Sequence, residues 1–144
     1  MAVKPASHCR DLCCHGLVVR AYDIPGRLLR PLTIIDGFVF LAAALMNFGI
    51  RVPLGDATVA FESPIWQAGV GEAVIGAVLV WAALAMRARR LWAAYLLSVL
   101  GIAFGLLSAR VVGVAREIHV VLVPLAVIGI ALLAWRTASR RATA

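Results

Sequence analysis

Four long apolar blocks, separated by short polar stretches, organise the chain. They run from Leu32 to Ile50, Ile65 to Met86, Leu91 to Ala109 and Ile118 to Trp135, each 18 to 22 residues long. A helix of that length crosses a hydrocarbon core of roughly 30 Å. None of the four carries the polar face that a surface helix presents to water. The pattern predicts an all-α polytopic membrane protein, an antiparallel bundle of four transmembrane helices. A soluble helical domain is disfavoured, because four such helices would leave nothing to face solvent.

Around these spans the chain divides into a tail of residues 1–31, a transmembrane domain of residues 32–136 and a short basic tail of residues 137–144. The first tail is charged, with "LVV" its one apolar run, and reads as a tail rather than a cleavable leader. Its "YDIPGRLLRP" carries prolines that predict a break in any helix before the first span. Between them, Arg27, Leu28, Leu29 and Arg30 suit a short interfacial segment, leucines down and arginines at the headgroups. The connection "RVPLGDATVAFESP" mixes the turn residues Pro53, Gly55 and Asp56 with "TVAF", and is expected to dip into the interface or cap the bundle. The second connection is about four residues long, so helices two and three should form a tight hairpin.

Composition and charge then fix an orientation. The chain is 63% hydrophobic, above the roughly half expected of a soluble domain, and its mean hydropathy is +0.97. Of its 14 basic residues, Lys4, Arg10, Arg20, Arg27, Arg30, Arg87, Arg89, Arg90, Arg136, Arg140 and Arg141 lie in the two tails and the second connection. Only Arg51, Arg110 and Arg116 lie in the other two. This positive-inside bias predicts that both termini are cytoplasmic. The net charge of +7 therefore reports topology and contact with anionic lipid, and no nucleic-acid partner is expected. Trp92 and Trp135 fall at the cytoplasmic interface and Trp66 at the outer one, in keeping with that frame. Thirteen arginines against one lysine suggest a GC-rich genome and a bacterial plasma (inner) membrane.

Small residues mark the faces along which helices meet. Ser98, Gly101, Gly105 and Ser108 recur at three- and four-residue spacing in the third span, and Gly69, Glu72 and Gly76 share a face of the second. In the first span Asp36, Phe40, Ala43 and Asn47 share a face, so its polar stripe should turn inward.

Candidate chemistry concentrates in the outer half. Glu72 is the single charge in "WQAGVGEAVIGAVLVWAA", and an ionisable group within a membrane is by default a functional-site hypothesis. At similar height lie Asn47, Gln67, Ser108, Arg110, Arg116 and His119, which together predict a polar pocket. Pro124 is expected to kink the fourth helix and open space beside it. Two readings stand side by side. Glu72 is either hydrogen-bonded structural glue, with the arginines and His119 as interfacial residues, or part of a ligand or proton site. Covalent catalysis finds no nucleophile–base pair and no recognised motif, so no reaction and no cofactor are assigned. Asp36, taken as one turn into its span, should pair with Arg87, Arg89 or Arg90. The tail's "HCRDLCCH" places His8, Cys9, Cys13, Cys14 and His15 close together, a set zinc or copper could use. It contains no CxxC and lies on the side where free thiols are the norm, so no metal is assigned.

The stretches "GVGEAVIGAVLVWAAL" and "RARRLWAAYLLSVLGIAFGLLSA" resemble the DoxX-like family of small four-helix bacterial membrane proteins. The resemblance covers about residues 32–135, with Gly69 and Glu72 on the family's helix-two pattern. It departs at the end of the first span, where a glycine-and-lysine ending is replaced by "MNFGIRVPLG". The family includes quinone-linked thiosulfate oxidation subunits, so the resemblance implies a redox-associated accessory or small-ligand role. Small multidrug exporters differ in placing the glutamate in the first helix and lacking a tail. Quinone-coupled thiol oxidases differ in needing paired surface cysteines. The function expected is an accessory or ligand-binding subunit, of a redox or cell-envelope complex, with the lipid bilayer and other membrane subunits or itself as partners. The alternative is a proton-coupled small-molecule transporter working as an oligomer.

Overall fold

The computed structural model describes the backbone of residues 8–54, 57–59, 65–112 and 117–142, and side chains for 26–53, 58, 65–107 and 118–142. Four helices dominate: α1 (His8–Asn47), α2 (Trp66–Ala85), α3 (Ala88–Val112) and α4 (Glu117–Ala142). By length and composition each contains a stretch able to cross a membrane, namely Gly26–Asn47, Trp66–Ala85, Ala88–Leu107 and Ile118–Ala142. This is the make-up of a multi-pass membrane protein.

The first helix departs from the sequence expectation. It passes through Pro25 and Pro31 without a break. Proline removes a donor and crowds the preceding turn, yet its fixed φ is helical, and membrane helices tolerate it where neighbours meet the freed carbonyls. The stretch able to span a membrane accordingly takes in residues before Leu32. Nor do Leu28 and Leu29 lie side by side on a lipid face. Leu29 is fully buried in the core and Leu28 is exposed, because successive helical residues point about 100° apart.

Helix ends are closed by left-handed residues. Gly49 has φ 79°, Gly49 N–H bonds to Met46 O and Ile50 N–H bonds back to Leu45 O at 2.9 Å. This is a Schellman ending that occupies the last free carbonyls of α1. Met86 takes the same role after α2, with φ 48° and its N–H on Ala82 O. Arg87 alone then separates it from α3. Between α1 and α2 the chain forms a two-stranded antiparallel hairpin, β1 (Val52–Leu54) with β2 (Ala57–Val59), where the sequence predicted only a loop. Val52 pairs with Val59 and Leu54 with Ala57.

In the bundle, α1 packs on α2 and α4, α2 on α3, and α3 on α4, closing a ring. The seam between α1 and α2 is the tightest. A Cβ on Gly37 would lie 2.9 Å from the Gly76 carbonyl, and one on Gly69 would lie 3.1 Å from the Ala44 carbonyl and 2.9 Å from Phe48. Elsewhere side chains fill the glycine gaps: Ile75 of α2 against Gly101, His119 of α4 against Gly105, and Tyr95 of α3 against Gly129. With no hydrophobic force between helices in lipid, such close approach supplies the attraction. Leu29, Phe40, Ile75, Leu79, Leu91, Tyr95, Ile102, Leu122 and Leu133 form the core, while Phe38, Leu84, Leu96, Phe104 and Val120 point outward.

Candidate functional site in the bundle interior

The interior holds two polar groups at different levels. The first lies at the end where α1 stops and α2 begins. Asn47, in the last turn of α1, donates from Nδ2 to Glu72 Oε2 at 2.8 Å. Its Oδ1 accepts the backbone N–H of Ile65, just before α2, at 3.3 Å. One buried amide thus ties the start of α2 to α1 and orients the carboxylate one face further on. The second carboxylate oxygen is not engaged by Asn47, and Glu72 is only half-buried.

His119 sits at a comparable level. From the Gly101–Ile75 contact, one turn along α2 leads to Glu72 and one turn along α3 leads to Gly105, against which His119 rests. His119 is buried, and its Nδ1 has no hydrogen-bond partner among the described residues. Gln67 is exposed, on a different face of α2 from the buried Gly69 and Gly76. Ser108 and Arg110 lie on the α3 backbone with side chains outside the described residues, and Arg116 is wholly outside them. Pro124 lies within α4 on an exposed face. The structure therefore brings together Asn47 and Glu72, sets His119 at their height and leaves Gln67 apart.

The second group lies deeper. Thr33 Oγ1 donates to Leu29 O at 2.7 Å, the bond a helical threonine makes to the carbonyl four residues back. Its hydroxyl is also 2.8 Å from the Tyr95 hydroxyl. A threonine hydroxyl has a single proton, and Leu29 O takes it. Tyr95 is therefore the donor of the second bond, which runs diagonally across the bundle from α3 to α1. One turn further along these helices stand Asp36 and Ser98, both fully buried. Neither oxygen of Asp36 nor the Ser98 hydroxyl has a hydrogen-bond partner among the described residues.

Asp36 does not pair with the arginines of the α2–α3 connection. Arg90 stacks on Trp81 at 4.3 Å from the ring centroid, and Arg87 and Arg89 are exposed. Depth explains it. Gly37, the residue after Asp36, meets Gly76, which lies midway along the span Trp66–Ala85, so Asp36 is roughly 15 Å from either boundary, beyond the reach of a side chain there.

Thr33, Tyr95 and Gly129 carry no sequence signal of a site. Only a diagonal contact between helices 62 residues apart makes a pair of the two hydroxyls. Among the described residues no three His, Cys, Asp or Glu side chains gather to hold a metal ion. The side chains of Cys9, Cys13, Cys14 and His15 lie outside that set. No family model matches the chain, and no curated protein or solved structure matches it.

Proposed function

We propose that the protein is a non-catalytic accessory or ligand-binding subunit of a redox or cell-envelope complex in the bacterial inner membrane. In this reading its helices run antiparallel with both termini cytoplasmic, and the Asn47–Glu72 level lies in the outer leaflet. The basic residues of the tails and of the α2–α3 connection support that orientation, and the resemblance to DoxX-like proteins supports the accessory role. The observation that carries the reading is the Asn47–Glu72 hydrogen bond. A carboxylate within a membrane, positioned by an amide that is itself anchored, keeps its other oxygen for a cationic or hydrogen-bond-donating group of a ligand or neighbouring subunit. Structural glue alone needs no ionisable group, since a glutamine would accept the same bond at lower desolvation cost.

A second reading, the proton-coupled transporter working as an oligomer, is favoured by Asp36, a further carboxylate placed in mid-span. Affinity purification of the full chain in mild detergent with quantitative mass spectrometry separates the two. The accessory reading expects a membrane partner in fixed proportion, depleted in Glu72→Gln while the variant's thermal stability stays near wild type. Absence of such a partner, with a pH-dependent flux in proteoliposomes that Glu72→Gln abolishes, gives the transporter. Unchanged partners, flux and cellular phenotype in Glu72→Gln would reduce the residue to structural glue.

A further inference from the structure

The protons of the Thr33–Tyr95 pair below Asp36 are already committed. Thr33 gives its own to Leu29 O, and Tyr95 gives its own to Thr33. Between the diagonally placed α1 and α3 lie both Asp36 oxygens, the unused lone pair of the Tyr95 hydroxyl, and the Ser98 hydroxyl, a neutral donor with no partner among the described residues. Two contacts bracket the level of these groups. Below is the Thr33–Tyr95 bond, and above, a Cβ on Gly101 would lie 3.9 Å from Phe40. Asp36 on α1 and Ser98 on α3 fall between the two brackets, at one height on diagonally placed helices. One neutral hydroxyl does not offset a carboxylate buried at this depth, so the level calls for something that brings positive charge or a proton.

No cation among the described residues supplies it. On α1, Arg27 and Arg30 lie near the far end of the stretch. The α2 helix contributes Glu72 as its sole ionisable residue, more than one turn away and bonded to Asn47. From α3 the nearest titratable group is Tyr95, and Arg90 is on Trp81. From α4, His119 rests against Gly105, and Arg136 reaches the level of Gly26, where its Nε would be 3.9 Å from a Cβ. A bare carboxylate this deep would have neither solvation nor a counter-ion, and such a group neutralises instead. A hard metal ion such as calcium takes about six to eight oxygen ligands, more than this level presents, whereas a proton needs one.

We infer that Asp36 is an intramembrane proton-binding site, its carboxyl protonated in the closed bundle and releasing that proton to water when the bundle interior opens. The O–H bond breaks with its electrons left on the carboxylate, and the proton passes to an entering water molecule. Ser98 and Tyr95 are positioning residues, holding polar oxygens at the height of the acid. The site depends on neither reading of Glu72, since it lies at another level of the bundle.

Infrared spectroscopy of the full chain in lipid bilayers, with aspartate carbons labelled with carbon-13 at the side-chain carboxyl, tests this directly. At neutral pH the wild type should show the isotope-shifted carbonyl stretch of a protonated carboxylic acid, converting to the carboxylate stretch only in alkali. Asp36→Asn should lose that band and leave the other aspartates unchanged. The wild-type titration stands by itself should the variant fold poorly. A neutral-pH spectrum containing carboxylate bands alone would overturn the assignment. So would loss of the acid band on adding sodium chloride at fixed pH, which would make the occupant an alkali cation.

Discussion

Gly37 of α1 and Gly76 of α2 meet backbone to backbone: a Cβ on Gly76 would lie 2.7 Å from the Gly37 carbonyl, and one on Gly37 2.9 Å from the Gly76 carbonyl. Because the obstacle on each side is main chain, no rotamer change relieves it. Gly37→Ala or Gly76→Ala should each cost about 1–3 kcal/mol, the range for overpacking a close contact. Gly71, a helical glycine with nothing within 4 Å of its Cβ position, is the control. There alanine should stabilise by up to about 1 kcal/mol through helix propensity. Unfolding titrations in mixed micelles would read the contrast, and equal behaviour at Gly71 and Gly76 would remove the close crossing.

His119 fills the gap left by Gly105, so Gly105→Leu should destabilise the α3–α4 pair more than Leu106→Ala, which trims an exposed side chain. The coupling is testable in a cycle. His119→Ala should recover a large part of what Gly105→Ala loses, because the added methyl then enters the space the ring vacates. Strict additivity of the two substitutions would mean that they do not touch.

The diagonal hydroxyl pair should respond asymmetrically. Thr33→Val leaves the Tyr95 hydroxyl buried without its acceptor, a loss of about 1–3 kcal/mol. Tyr95→Phe leaves Thr33 still bonded to Leu29 O and should cost less, about 0.5–1.5 kcal/mol. The double variant should match Tyr95→Phe rather than the sum. Thermal denaturation of the three proteins decides it, and a Thr33→Val variant as stable as Tyr95→Phe would reverse the assigned donor.

For the proposed orientation, cysteines placed singly at Asp56 and Ala115, in a background without the native cysteines, should react with an impermeant thiol reagent on intact cells. A cysteine at Ala88 should react only after lysis. Labelling of Ala88 in intact cells would move the Asn47–Glu72 level to the cytoplasmic leaflet.

The four helices were legible because an apolar block of spanning length has few alternatives to a membrane helix. Spacing also carried the inward faces: Asp36, Phe40, Ala43 and Asn47 are all buried, and Gly69 and Gly76 both meet α1. What stayed hidden depended on where α1 begins and on which helices lie diagonally. Reading Pro31 as a helix breaker put Asp36 one turn from the surface, within reach of arginines, when the continuous helix puts it in the middle. A break at Pro25 and Pro31 is a local expectation that tertiary packing overrides, with Leu29 and Thr33 already buried on either side of Pro31. The Thr33–Tyr95 bond needs a relative rotation of α1 and α3 that no single-helix periodicity encodes. The hairpin at Val52–Val59 was masked by a segment too short for a convincing alternation.

The depth of Asp36 has an electrical meaning. Carrying one elementary charge through the entire membrane potential is worth about 2.3 kcal/mol per 100 mV. Level with the middle of α2, Asp36 sits where a charge arriving from either face has crossed about half of that drop. An energised membrane would then fill the site more readily from its positive side and empty it more readily toward its negative side. The unbroken run of α1 through its two prolines is what sets this lever near its midpoint.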